Sequence, residues 1–227
     1  MGLECGDITF INMTVGGLAM VHGYHLILSM YGYWLPNDPR GAWSEFVRKW
    51  ELARFSVQSD RFEKRSLDQL SPDELQRREE ARHSLEFPPV SIDGLQAESI
   101  ARGFGKHCLK NDYTVWACAI LPEHVHLVIA RHRFKVEQMA NLLKGAATRQ
   151  LVADGLHPLK DYRMKNGKLP SPWSMRAWKC YLDSEEAIEN AMAYVIENPI
   201  KEGKEKQSWE FVTPFAGLPK NAWTTYH

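Results

Sequence analysis

The stretch Leu121-Pro122-Glu123-His124-Val125-His126-Leu127-Val128-Ile129 constrains the fold of this chain more than any other. Its apolar, β-branched run predicts a strand, and side chains along a strand alternate between faces. Val125 and Leu127 then point into a core. His124 and His126 leave from the opposite face, roughly 6–7 Å apart along the chain. Just upstream, Tyr113–Ile120 (YTVWACAI) predicts a second strand, and the short Pro122-Glu123 turn between the two predicts a hairpin. Two imidazoles side by side on a sheet make half of a divalent-metal site.

The elements around the hairpin limit its setting. Tyr24–Tyr33 (YHLILSMYGY) predicts a buried first strand. Residues 36–92 predict a mostly helical insertion, charge-rich over 44–86. Within it Ser71 stands as N-cap and Pro72 at a first helical position, and Pro88-Pro89 closes the segment. Asp93–Lys110 predicts a core helix whose later part Gly103 and Gly105 weaken. Lys135–Val152 predicts an amphipathic helix with Met139, Leu142, Leu143, Ala146 and Ala147 on its apolar face and Lys144 and Arg149 off it. Residues 155–172 predict a loop, and Trp173–Leu182 a last, irregular strand. Asp183-Ser184-Glu185-Glu186 caps a helix running to about Glu197, where Asn198-Pro199 stops it. Residues 204–227 form a tail with no clear pattern. Residues 1–19 read as a disordered extension or a misassigned start, because Met20 directly precedes the first convincing strand. This order predicts an α+β fold: a ferredoxin-like (RRM-like) βαββαβ core with an antiparallel sheet, in a single domain over 1–227.

Composition narrows the partners. Apolar residues make up 44% and charged residues 25%, as in a soluble globular protein. Formal net charge is zero, but residues 1–100 hold 10 Lys+Arg against 15 Asp+Glu, and residues 101–206 hold 17 against 12. The histidine pair thus lies in the basic half, which suits a polyanion. Cys5, Cys108, Cys118 and Cys180 are spaced for neither a zinc knuckle nor a disulfide framework and read as reduced thiols in a cytoplasmic protein. No run is long and apolar enough to span a membrane.

A second informative stretch closes the last predicted helix: Ala193-Tyr194-Val195-Ile196-Glu197-Asn198-Pro199. Tyr194 and Asn198, four apart, share a helical face. Asn198 offers a carboxamide oxygen as a third ligand for a hard cation beside two imidazoles. The Tyr194 hydroxyl, next to a metal-bound phosphate, is a candidate nucleophile at phosphorus. Each residue also has a plainer reading. A His-x-His in isolation is more often packing than ligation, Tyr194 alone would be a helix-face core residue, and Asn198 a helix C-cap before Pro199. Lys144 and Arg149 also read as a solvated helix face. Trp173 and Trp178 read as core or as a platform for an extruded base, and His25 as a packed histidine.

His-hydrophobic-His on a strand, followed by a helix bearing Tyr-x-x-x-Asn, resembles the single-tyrosine HUH transposases. The run Tyr194-Val195-Ile196-Glu197-Asn198-Pro199 is most similar to the REP-associated tyrosine transposases. The resemblance extends to Tyr24–Arg40, to Leu142-Leu143-Lys144-Gly145 and to the strand at 173–182, and leaves 44–92 less well matched. It implies that His124, His126 and Asn198 hold Mg²⁺ or Mn²⁺. It also implies that Tyr194 forms a 5′-phosphotyrosine with single-stranded or hairpin DNA during transposition. Lys144 and Arg149, then Lys135 and Arg133, are the candidate phosphate contacts. The resemblance leaves monomer and homodimer both open. The alternatives are a non-catalytic nucleic-acid-binding module that keeps the fold, and a water-using hydrolase of small phosphoesters.

Overall fold

A computed structural model describes residues 20–33, 71–73, 76, 80 and 83–218. In chain order its elements are β1 (Gly23–Met30), α1 (Gly94–Asn111), β2 (Val115–Ile120), β3 (His124–Ala130), α2 (Val136–Ala153), β4 (Trp173–Leu182) and α3 (Glu185–Lys201). The four strands form one antiparallel sheet in the order β2-β3-β1-β4. β2 and β3 are the expected hairpin, and β1 inserts between β3 and β4.

The sheet has two unlike faces because its strands alternate. Leu26, Leu28 and Met30 of β1 and Val125, Leu127 and Ile129 of β3 form the larger core. Ile100, Phe104 and Cys108 of α1 and Met139, Leu143, Ala147 and Leu151 of α2 pack onto them. On the other face Ala117, Ala119, Val128 and Leu182 meet Ile188, Ala191 and Val195 of α3. One helix therefore covers what two helices cover on the opposite side.

Local signals set the helix ends. Asp93 and Gln96 form a reciprocal capping box at the start of α1. Ser184 caps α3 by accepting from the Ala187 N–H. α1 runs unbroken through Gly103 and Gly105. A Cβ at Gly103 would stand 2.9 Å from the Ala147 Cα, so the missing side chain is what lets α1 and α2 approach.

Asn198-Pro199 does not stop α3. The helix continues to Lys201 with Pro199 inside it, and ends in a Schellman turn. Gly203 takes a φ of 70°, its N–H reaches the Ile200 carbonyl, and the Lys204 N–H reaches the Pro199 carbonyl. Proline removes one donor, that toward the Val195 carbonyl, but leaves the downstream bonds intact.

The tail is more ordered than its sequence suggests. The Gln207 side chain donates to the Ile120 carbonyl at 2.8 Å and accepts from the Ile120 N–H at 2.7 Å, standing in for a neighbouring strand. Val212 bridges Val115, and Trp209 and Phe211 pack against the larger core. The β2 edge is thereby covered. Further on, the Leu218 N–H donates to Glu185 at the start of α3.

Most of the 36–92 insertion lies outside the described residues, as do 1–19 and 219–227. Within the insertion, the described residues 72, 73, 76, 80 and 83 are helical, as expected, and only its end is extended: Val90 and Ile92 are buried, their N–H groups bonded to the Tyr31 and Pro122 carbonyls. Cys108, Cys118 and Cys180 are buried free thiols. No helix among the described residues is long and apolar enough to cross a membrane.

Candidate active site on the histidine face

β3 carries His124 and His126 on the face that α3 covers. Register puts Ser29 opposite His124 and Ile27 opposite His126, so the imidazoles sit above the middle of the sheet. Their rings lie 4.7 Å apart, nearly perpendicular. Both are buried, His126 completely. Burial, with His124 and His25 adding to it, holds His126 well below the usual histidine range. His126 is therefore a neutral imidazole, the form in which a ring nitrogen keeps a lone pair for a ligand.

α3 brings Tyr194 to this pair. Its ring lies 5.6 Å from His126 and 5.8 Å from His25, edge-on to both. Asn198 is buried one turn further on along the same helix. Burial raises the Tyr194 phenol to about 12, the Glu202 carboxylate adds to the rise, and Asn198 offsets part of it. Tyr194 is thus a protonated phenol at neutral pH. The Lys201 ammonium stands 5.7 Å from its ring centre. Because α3 runs past Asn198, that residue is in the helix body and not its C-cap.

The structure brings Tyr194 to the His124–His126 pair, some 70 positions earlier in the chain, with Asn198 buried one helical turn beyond Tyr194. No group of three or more His, Cys, Asp or Glu side chains suited to a metal occurs among the described residues. The donor set on offer is two imidazoles and one carboxamide. The Asn198 amide nitrogen is buried with no hydrogen-bond partner among the described residues. Turned by half a rotation, the amide would present its oxygen there instead. Neutral imidazole and amide oxygen suit a divalent cation that keeps other positions for water or phosphate oxygen.

Two neighbours were not legible as site residues. His25, expected as a packed histidine, places its Nε2 3.0 Å from the His126 Nδ1. Burial lowers it to about 4, so it too is neutral. Its signal was parity: on a fully buried strand, position 25 shares a face with Ile27 and Ser29 and not with the leucines. Tyr33 stacks on His124 with rings 5.6 Å apart, and no spacing in the sequence pointed to it.

The candidate DNA contacts divide. Lys144 is not on a solvated face. It is buried and donates to the Ser174 carbonyl at 2.8 Å, tying α2 to the start of β4. Its ammonium is taken up by backbone carbonyls and not turned to solvent, against the expectation of an exposed phosphate contact or a solvated helix face. Arg149, Lys135 and Arg133 are exposed. All three lie on or just before α2, the helix that packs on the opposite face of the sheet from the histidines. Trp173 is core, stacked near Phe104 and donating to Thr148. Trp178 is half-buried on the histidine side, opposite Ile27.

No protein-family profile matches the chain, and no curated protein matches it. Among solved structures it is similar to a REP-associated tyrosine transposase bound to a REP hairpin. That likeness has 12% identity and a TM-score of 0.44, covering 91% of this chain and 97% of that one. It is also similar to a candidate transposase of Deinococcus radiodurans R1, at 16% identity and a TM-score of 0.34, covering 87% of this chain and 97% of that one.

Proposed function

We propose that this chain is a metal-dependent enzyme that cuts and rejoins single-stranded DNA through a 5′-phosphotyrosine on Tyr194, acting on hairpin-containing DNA in transposition. The observation that carries this reading is the meeting of His124, His126 and Tyr194 over one face of the sheet, with Asn198 buried one helical turn beyond Tyr194. The βαββαβ order with α3 appended reads as a ferredoxin-like core whose extra helix delivers the nucleophile.

In this reading His124, His126 and Asn198 hold Mg²⁺ or Mn²⁺. Such a cation supplies polarisation of the scissile phosphate and offsets charge in the transition state. The protein's own groups do the rest. The sheet fixes the two imidazoles against each other, and burial keeps His126 neutral. α3 holds the Tyr194 hydroxyl beside them. As its oxygen bonds to phosphorus, the phenolic proton leaves, the bond from phosphorus to the 3′-oxygen breaks, and that oxygen takes up a proton. Rejoining runs the same exchange backward, so no ATP is consumed. Arg149, Lys135 and Arg133 are the candidate phosphate contacts.

The test is a labelled single-stranded hairpin incubated with the protein and Mn²⁺. Wild type should form an adduct that survives denaturation, and Tyr194→Phe should form none while binding the hairpin within about twofold of wild type. An adduct on the Phe variant would sink the assignment of Tyr194.

A further inference from the structure

All eight residues of β1 are buried, yet their two parities differ in chemistry. Leu26, Leu28 and Met30 face the larger core. His25, Ile27 and Ser29 face the site. In the antiparallel register His25 lies opposite Val128, which makes it a diagonal neighbour of His126. Diagonal pairs on a sheet are ~7–8 Å apart at the backbone, within reach of two rings that lean together. These do: the ring centres are 5.2 Å apart, and Nε2 of His25 is 3.0 Å from Nδ1 of His126. His126 has no exposed surface, so water cannot replace this contact.

A hydrogen bond between two neutral imidazoles joins one N–H to one lone pair, and its polarity decides what His126 offers on its other side. If His126 donates from Nδ1, its Nε2 is bare. If it accepts, Nε2 carries a proton and cannot coordinate. A histidine that binds a metal almost always donates its second N–H to an acceptor that fixes its tautomer and ring angle.

We infer that His25 is the positioning residue of this site: its Nε2 accepts the Nδ1 proton of His126 and so turns a bare His126 Nε2 toward the position of a divalent cation. The inference deepens the proposed function and rests on its metal reading. His25 acts through His126. Its ring also meets the Tyr194 ring edge-on at 5.8 Å, so the same side chain sets the spacing between ligand and nucleophile.

The first test needs no variant. Histidine-selective ¹⁵N labelling of the full chain, read by long-range proton–nitrogen correlation without metal, should show His126 protonated at Nδ1 and His25 at its own Nδ1. A proton on His126 Nε2 overturns the inference. The second test is Mn²⁺ titration followed by electron paramagnetic resonance. His25→Phe should weaken Mn²⁺ binding by about tenfold to a hundredfold. His25→Gln, whose carboxamide oxygen can accept from His126, should recover most of that loss. Wild-type affinity in the Phe variant, or a Gln variant no better than Phe, overturns it. A wild type that binds no Mn²⁺ removes the metal reading instead, and the nitrogen spectrum still reports whether His25 sets the tautomer.

Discussion

The two faces of the sheet are built from the same strands and do opposite things. The face under α1 and α2 is an apolar interior of Leu, Ile, Val and Phe, closed by two helices that touch through Gly103 and Ala147. The face under α3 has a small apolar patch of Ala117, Ala119, Val128, Ile188 and Val195. Beside that patch, three imidazoles and a phenol crowd together. Neighbouring residues of one strand therefore belong to different tasks: Leu127 packs, and His126 presents a nitrogen. Stability is concentrated where large side chains interdigitate. Titratable side chains are concentrated where the layer is thin and polar groups are enclosed.

That contrast is sharpest between adjacent residues. His126→Ala should reduce adduct formation with a hairpin substrate by at least about a hundredfold, measured as covalent product per folded molecule, as expected when an interaction of the transition state is lost. Leu127→Ala, one residue along and on the other face, should instead lower unfolding free energy in urea by about 2–5 kcal/mol while leaving activity per folded molecule near wild type. If Leu127→Ala abolishes activity at full folding, the division between the faces is wrong.

A smaller effect tests the edge. Gln207→Ala removes both bonds to Ile120 and should cost about 1–3 kcal/mol in chemical denaturation. The same change should leave the nitrogen spectrum of His126 unmoved.

A pH-dependent effect concerns Lys144, whose burial lowers it from an ordinary 10.5 to about 8. The fold disfavours its charged form, so between these two values the unfolded chain binds more protons and stability rises with pH. Wild type measured relative to Lys144→Met should therefore gain stability from pH about 8 to about 10.5. Hairpin binding by Lys144→Met should keep the wild-type dependence on salt, because Lys144 touches carbonyls and not phosphates. By contrast, Arg149→Ala should flatten that dependence if its guanidinium meets the backbone of DNA.

Much of this was legible where the signal is local. Alternation in 124–130 separated Val125 and Leu127 from the histidines, and spacing by four put Tyr194 with Asn198. Lys144 was misread because charge was weighed above period. Ala140, Leu143, Ala147 and Leu151 mark the buried face of α2, and position 144 falls in phase with them. The end of α3 was misread because Pro199 removes only one bond of the helix. Gln207 left no trace in the sequence: its partner Ile120 is 87 residues away, and a side chain imitating a strand has no periodicity.

The sequence by itself determined which side chains share a face, because backbone geometry sets a period of two on strands and 3.6 on helices. It therefore contained the histidine pair, the tyrosine with its asparagine, and the order of elements. Only the tertiary structure decided that these two halves meet. That depends on β1 pairing between β3 and β4, and on which face α3 closes over. It also decided that His25 touches His126 and that Lys144 turns inward to backbone carbonyls. Contacts of that kind are set by the closure of long loops and by competition for burial among all elements together, which no local pattern encodes.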